Sequence, residues 1–131
     1  MGSEVRQMKL EKTDLIQSEN GFIEKIVSKD HDIFRGFGEL YFNKVDGLKC
    51  SQWIQHLRYT SIIKVFHGSF TFEIECENDI RKVLMDDTTC SIMQIPPGFS
   101  FRFLNNLQQQ SCFMNLLSGV HDVKEVVKRV K

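Results

Sequence analysis

The sequence carries no surplus of charge of either sign, since seventeen Lys and Arg balance seventeen Asp and Glu. Nucleic acid and acidic membrane surfaces both attract an excess of basic residues, so neither is expected as a partner. No run of about 18 apolar residues is present, so no membrane-spanning helix is expected. The opening residues Met1 to Leu10 are charged and polar and lack the apolar centre of a secretory signal. Met1-Gly2-Ser3 has the composition of a cloning scar. Cys50, Cys76, Cys90 and Cys112 are widely spaced, with no Cys-x-x-Cys pair. A zinc site or redox motif is therefore not expected; buried free thiols in a reducing cytoplasm are. Phenols are scarce, with only Tyr41 and Tyr59, and so is indole, with only Trp53. No internal repeat or low-complexity stretch is visible.

What the chain does have is phenylalanine, eleven in all, a number that points first to a packed core. Its length suits one domain with a real core. A polar leader is expected over residues 1–19, a β-barrel over 20–120 and a short helix over 121–131. Turn signals at Asn20-Gly21, Asp46-Gly47 and Pro97-Gly98 divide the middle into short segments. In Ser69–Cys76, Phe70, Phe72, Ile74 and Cys76 take one face, and Ser69, Thr71, Glu73 and Glu75 the other. That alternation predicts a half-buried antiparallel strand. Phe22–Val27, Phe37–Phe42, Ser51–Arg58, Ile62–Phe66, Lys82–Met85, Thr89–Ile95, Phe99–Leu104 and Ser111–Leu117 read similarly. Many short strands at regular spacing predict an all-β sandwich or barrel. Near the C-terminus, Asp122 as N-cap and a stripe of Val123, Val126, Val127 and Val130 predict one helix.

The polar row of one strand bears on function. In Gln52-Trp53-Ile54-Gln55-His56-Leu57-Arg58, period two places Gln52, Ile54, His56 and Arg58 on one face. Such a row either faces solvent or walls a wet ligand cavity. A second segment, Ile95-Pro96-Pro97-Gly98-Phe99-Ser100-Phe101-Arg102-Phe103-Leu104-Asn105, sets a tight turn directly before a strand. Phe99, Phe101 and Phe103 share one of its faces, either as core or as an apolar wall able to stack on a sugar or base.

Together these segments resemble the cupin family. Pro96, Gly98, the position of Phe101, and Asn105 have the spacing of the second cupin motif, P-x-G-x-x-H-x-x-x-N. Ile54-Gln55-His56, Ser61 and Gly68 have the spacing of the first. Among cupins, the chain is most similar to sugar-nucleotide enzymes: the dTDP-4-dehydrorhamnose 3,5-epimerase group, the 3,4-ketoisomerases and WxcM-like proteins. Asp32 to Phe42 loosely matches their D-x-R-G-x-x-x-E segment. Ser51 to His56 matches a K-G-W-H-x-H-like strand, Gly68 to Ile74 a G-(S/R)-x-x-x-x-(L/I) segment, and Ile95 to Phe103 the I-P-P-G-x-x-x-x-F segment. The similarity spans about Asp30 to Asp122.

The resemblance implies a double-stranded β-helix, or jelly-roll, barrel with a short C-terminal helix. It implies an epimerase or ketoisomerase acting on a nucleotide-linked 4-keto-6-deoxy sugar in surface-polysaccharide biosynthesis. Cupin metal ligands would fall at Ile54, His56, Ser61 and Phe101. Isoleucine and phenylalanine cannot ligate, so no metal and no other cofactor is expected. The relatives' usual base falls at position 54, where isoleucine cannot act. His56 lies about 7 Å along the same face. It either serves as base to a shifted sugar or hydrogen-bonds a phosphate or a neighbour. Tyr41 is the preferred acid, because Tyr59 is expected on the opposite face. Arg35, Gln52, Arg58 and Phe101 are the candidate substrate contacts; a solvated arginine is the plain alternative at positions 35 and 58. The rival function is a non-catalytic cupin that binds a sugar or nucleotide-sugar. Cupins of this sort often pair as homodimers through N-terminal strands, which would carry Phe22–Val27 to a partner.

Overall fold

The computed structural model describes residues 7–130, so the opening Met1-Gly2-Ser3 lies outside the described residues. In chain order the strands are β1 (Lys9–Lys12), β2 (Asp14–Ser18), β3 (Gly21–Lys25), β4 (Glu39–Val45), β5 (Trp53–His56) and β6 (Ser61–His67). They continue as β7 (Ser69–Cys76), β8 (Asp79–Asp86), β9 (Ser91–Ile95), β10 (Ser100–Asn105), β11 (Ser111–Leu117) and β12 (Val126–Arg129). One five-stranded sheet has the order β1-β9-β6-β11-β4, a second β12-β5-β10-β7-β8, and among the described residues β2 pairs only with β3. Every pairing is antiparallel.

The alternation expected in β7 is present. Phe70, Phe72 and Ile74 have no exposure, while their odd-numbered neighbours are partly exposed. The inner rows of both sheets meet in one core that includes Ile63, Val65, Met85, Met93, Phe101 and Phe113. Phe113 is its hub: its ring meets Phe103 at 4.9 Å and Phe70 at 5.0 Å, both edge to face. That geometry sets positive ring edges against negative faces and adds about 0.5–1.5 kcal/mol per pair to the burial itself. A second cluster of Ile33, Ile62, Ile92 and Leu116 lies on the outer side of the first sheet, covered by Ile26, Val27 and Phe34.

Two motif residues prove to be architectural. Asn105 has no exposure, and its side-chain amide donates to the carbonyls of Val45, Asp46 and Gln109. Its Oδ1 accepts from Ser111 Oγ at 2.8 Å and from the Leu107 amide at 3.0 Å. Gly68 has φ +90, and a Cβ there would lie 2.0 Å from Ser111 Oγ, so only glycine fits the β6–β7 turn.

Three expectations are corrected. The C-terminal helix is absent: Asp122 Oδ1 does accept from the Lys124 amide, but it caps only a 3₁₀ turn, Val123–Glu125. The chain then enters β12, which pairs with β5. Four β-branched valines in eight residues favour the pleated form, and β5 would otherwise be an open edge. Val123, Val127 and Val130 are exposed, so the supposed apolar stripe buries nothing. The polar leader is not a leader throughout, since β1 pairs with β9 and β2 forms a hairpin with β3. The four cysteines are free, but Cys50 is exposed and the other three are partly buried.

Candidate functional site

A cavity of about 300 Å³ opens between the two sheets. One wall is built from β12, β5 and β10. Lys128 pairs in register with Ile54, and Ile54 with Phe101, so these three side chains form one inward row. The opposite wall comes from β4 and β11, where Tyr41 pairs with Asn115 and Asn43 with Phe113. Phe103 and Phe113 close the apolar end, while Gln52, His121 and Lys128 also line the cavity and are themselves exposed.

His56 is the buried ionisable group of this cavity. Its Nδ1 lies 2.8 Å from Oε1 of Glu125, whose side chain has no exposure. The other carboxylate oxygen accepts from the backbone amides of Arg58 and Tyr59, both at 3.3 Å. A buried carboxylate with three such contacts is held in one orientation. An ionised carboxylate at this distance accepts from an Nδ1–H, and in the neutral tautomer that carries it the lone pair lies on Nε2. Nε2 has no side-chain or backbone partner among the described residues, and the ring lines the cavity.

The turn expected at Pro96-Pro97-Gly98 fixes the backbone of the same strand. Gly98 has φ +92, its amide donates to the His56 carbonyl at 2.7 Å, and its carbonyl accepts from Gln55 Nε2 at 2.8 Å. On the outer surface, Trp53 is buried beneath two guanidinium groups, Arg102 at 4.7 Å and Arg129 at 5.1 Å from the ring. Arg102 is also paired with Glu73, and this hydrogen bond holds the Glu73 carboxyl below the usual carboxylate range.

Tyr41 is half-buried, and Asn115 Nδ2 donates to its hydroxyl at 3.2 Å. Burial, followed by the charges of Glu39 and Glu125, pushes the phenol up from its ordinary value. The group therefore keeps its proton well into the alkaline range.

Of the residues singled out in the sequence, His56, Tyr41, Gln52 and Phe101 line one cavity, as does Ile54. Arg58 does not share their face. β5 ends at His56, and the chain bends so that the Arg58 and Tyr59 amides reach Glu125. The Arg58 side chain is 62% exposed, with Asp122 Oδ2 at 3.8 Å. Arg35 is exposed on the loop before β4 and donates to the carbonyls of Asp32 and Phe34. Asn43, Asn115, His121, Glu125 and Lys128 were not anticipated. Asn115 had a signal, as the one polar residue in the row Phe113, Asn115, Leu117. Glu125 had none, because its segment reads as a helix.

The sequence matches no protein-family profile and no curated protein. Solved structures do match. A dTDP sugar isomerase from Desulfovibrio desulfuricans G20 superposes with a TM-score of 0.84, at 20% identity over 95% of this chain and 85% of that one. The sugar 3,4-ketoisomerase QdtA from Thermoanaerobacterium thermosaccharolyticum, in complex with TDP, gives 0.80 at 16% identity over 93% and 88%. The dTDP-6-deoxy-D-glucose-3,5-epimerase RmlC from Legionella pneumophila, in complex with dTDP-4-keto-L-rhamnose, gives 0.80 at 10% over 98% and 75%. The chain has the RmlC-like cupin fold, as its motifs implied.

Proposed function

We propose that this chain is a metal-independent epimerase or ketoisomerase acting on a nucleotide-linked 4-keto-6-deoxy sugar. The observation that carries this reading is the buried His56–Glu125 pair in a cavity shared with Tyr41. His56 Nε2 takes the proton from the carbon next to the ketone, and Glu125 stabilises the imidazolium. The C–H electron pair forms the enol double bond, and the carbonyl oxygen takes the Tyr41 proton. Return of a proton to the other face of the same carbon, while the enol O–H gives its proton back to the Tyr41 phenolate, epimerises it; return to the former carbonyl carbon, while the neighbouring enediol hydroxyl gives its proton to the Tyr41 phenolate, moves the ketone. Ile54 and Phe101 exclude water beside the base, and Phe101 offers a flat surface to the sugar. Gln52, His121 and Lys128 face the nucleotide diphosphate at the cavity mouth. The solved neighbours hold TDP and dTDP-4-keto-L-rhamnose, which are ligands of this class.

The test is incubation with dTDP-4-keto-6-deoxyglucose in heavy water while the sugar protons are followed. Exchange at C3 or C5 that His56→Ala abolishes supports the enzyme. Tight binding without exchange supports the second reading, a non-catalytic nucleotide-sugar binder. That reading is favoured by the apolar side chains at positions 54 and 101.

The proposal extends to setting and assembly. The free cysteines suit the cytoplasm, and the substrate class suits polysaccharide biosynthesis. Among the described residues, no helix is long and apolar enough to cross a membrane. A homodimer would cover the exposed Leu40, Phe42 and Phe66 on the outer side of the first sheet. It would also support the β2–β3 hairpin, whose Leu15, Ile16, Phe22 and Ile23 are exposed; a two-stranded hairpin is marginal by itself.

A further inference from the structure

We infer that Asn115 is the positioning residue for Tyr41: its amide N–H donates to the phenol oxygen and so leaves the hydroxyl proton directed at the bound ligand. This rests on the proposed proton transfer for its use, but the arrangement itself is independent of it.

Asn115 sits in β11, a central strand paired on both sides, with Tyr41 as its register partner in β4 and Ile63 in β6. It is 2% exposed and lines the cavity. Its Nδ2 meets the Tyr41 hydroxyl at 3.2 Å, and this is its only side-chain hydrogen bond among the described residues. Its Oδ1 is buried and has no partner among them. A phenol has one proton and two lone pairs. When Asn115 donates to a lone pair, the phenol proton remains available to a ligand oxygen. With the amide turned over, Tyr41 would donate to Oδ1 and spend its proton within the protein. The orphaned acceptor is left for a water in the cavity to meet, so the amide's one protein contact is the phenol.

The two arrangements differ in sign. A donor to the phenol stabilises the phenolate, whereas an acceptor stabilises the neutral phenol. Tyr41 and Tyr59 are the only phenols, so in Tyr59→Phe protein the 295 nm absorbance titrates Tyr41 alone. Adding Asn115→Leu should raise that midpoint by roughly 0.5 to 1 in pH, the value of one hydrogen bond. Asn115→Ala should move it the same way and serves if leucine perturbs the fold, which Trp53 fluorescence reports. A midpoint that falls or stays in both variants overturns the inference. On dTDP-4-keto-6-deoxyglucose, Asn115→Leu should lower kcat at least tenfold with KM within about twofold. Loss of binding with kcat unchanged would also overturn it. If the unmutated protein exchanges no sugar protons but the midpoint rises, Asn115 holds Tyr41 as inferred and only the catalytic reading fails.

Discussion

Val126 faces His56 across the β12–β5 pairing, and this register sets Glu125, one residue earlier, against the imidazole. The Leu57 amide donates to the Glu125 carbonyl at 2.7 Å, so the backbone fixes the acid as firmly as the side-chain contact does. The final strand thus carries the partner of a histidine 69 positions away.

Glu125→Gln should lower sugar-proton exchange on the order of 10²-fold or more, while KM stays within a few-fold. The neutral amide fits the same space but no longer stabilises a protonated imidazole. Initial rates by NMR check this. Exchange at the unmutated rate would show that His56 works without its carboxylate.

Acid stability should report Glu73. Its carboxyl is held below the usual range by the hydrogen bond from Arg102, with the Arg102 and Lys82 charges adding to it. A depressed folded-state value means that the contribution is fully present above the unfolded value of about 4.3. It is lost as pH falls through the folded value. Urea midpoints should drop over that acid window, and Glu73→Gln should flatten the drop. Equal slopes for both proteins would remove Glu73 as the cause.

Phe113→Ala should destabilise the barrel by about 3–5 kcal/mol, because a fully packed ring is replaced by a void. Urea unfolding followed through the single tryptophan, Trp53, measures it. A loss under 1 kcal/mol would mean that Phe103 and Phe70 collapse into the gap.

Sedimentation equilibrium should give twice the chain mass. Phe42 and Phe66, whose rings are 5.6 Å apart, are the residues to alter. Phe42→Lys with Phe66→Lys should yield a monomer that remains folded. A monomeric unmutated protein would rule the dimer out.

Much of the barrel was legible because its strands obey strict alternation. Ser69–Cys76 and Ser111–Leu117 were bounded at the residues where they occur, since each carries an apolar row that one core must cover. The Pro-Pro-Gly turn was legible because proline and glycine narrow the backbone to few shapes. The C-terminal strand was not. Val123, Val126, Val127 and Val130 fit a helical stripe as well as an edge strand, and the open edge of β5 that decides between them is set by chain far away. For the same reason Glu125 stayed hidden beside a visible His56. Arg58 was misplaced because period two holds only while the strand lasts, and nothing local announces the bend after His56.

The edge-to-face rings of Phe103 and Phe113 act as a depth stop. At about 300 Å³ the cavity lies at the small end of ligand pockets, so a guest is measured by how far it enters. The register sets Gln52 beside Phe103 and Asn43 beside Phe113, whereas His56, Tyr41 and Asn115 line the cavity further along the same strands. The end of the cavity walled by the two rings and the end that holds the buried imidazole are therefore built by different residues, and either can be altered without disturbing the other.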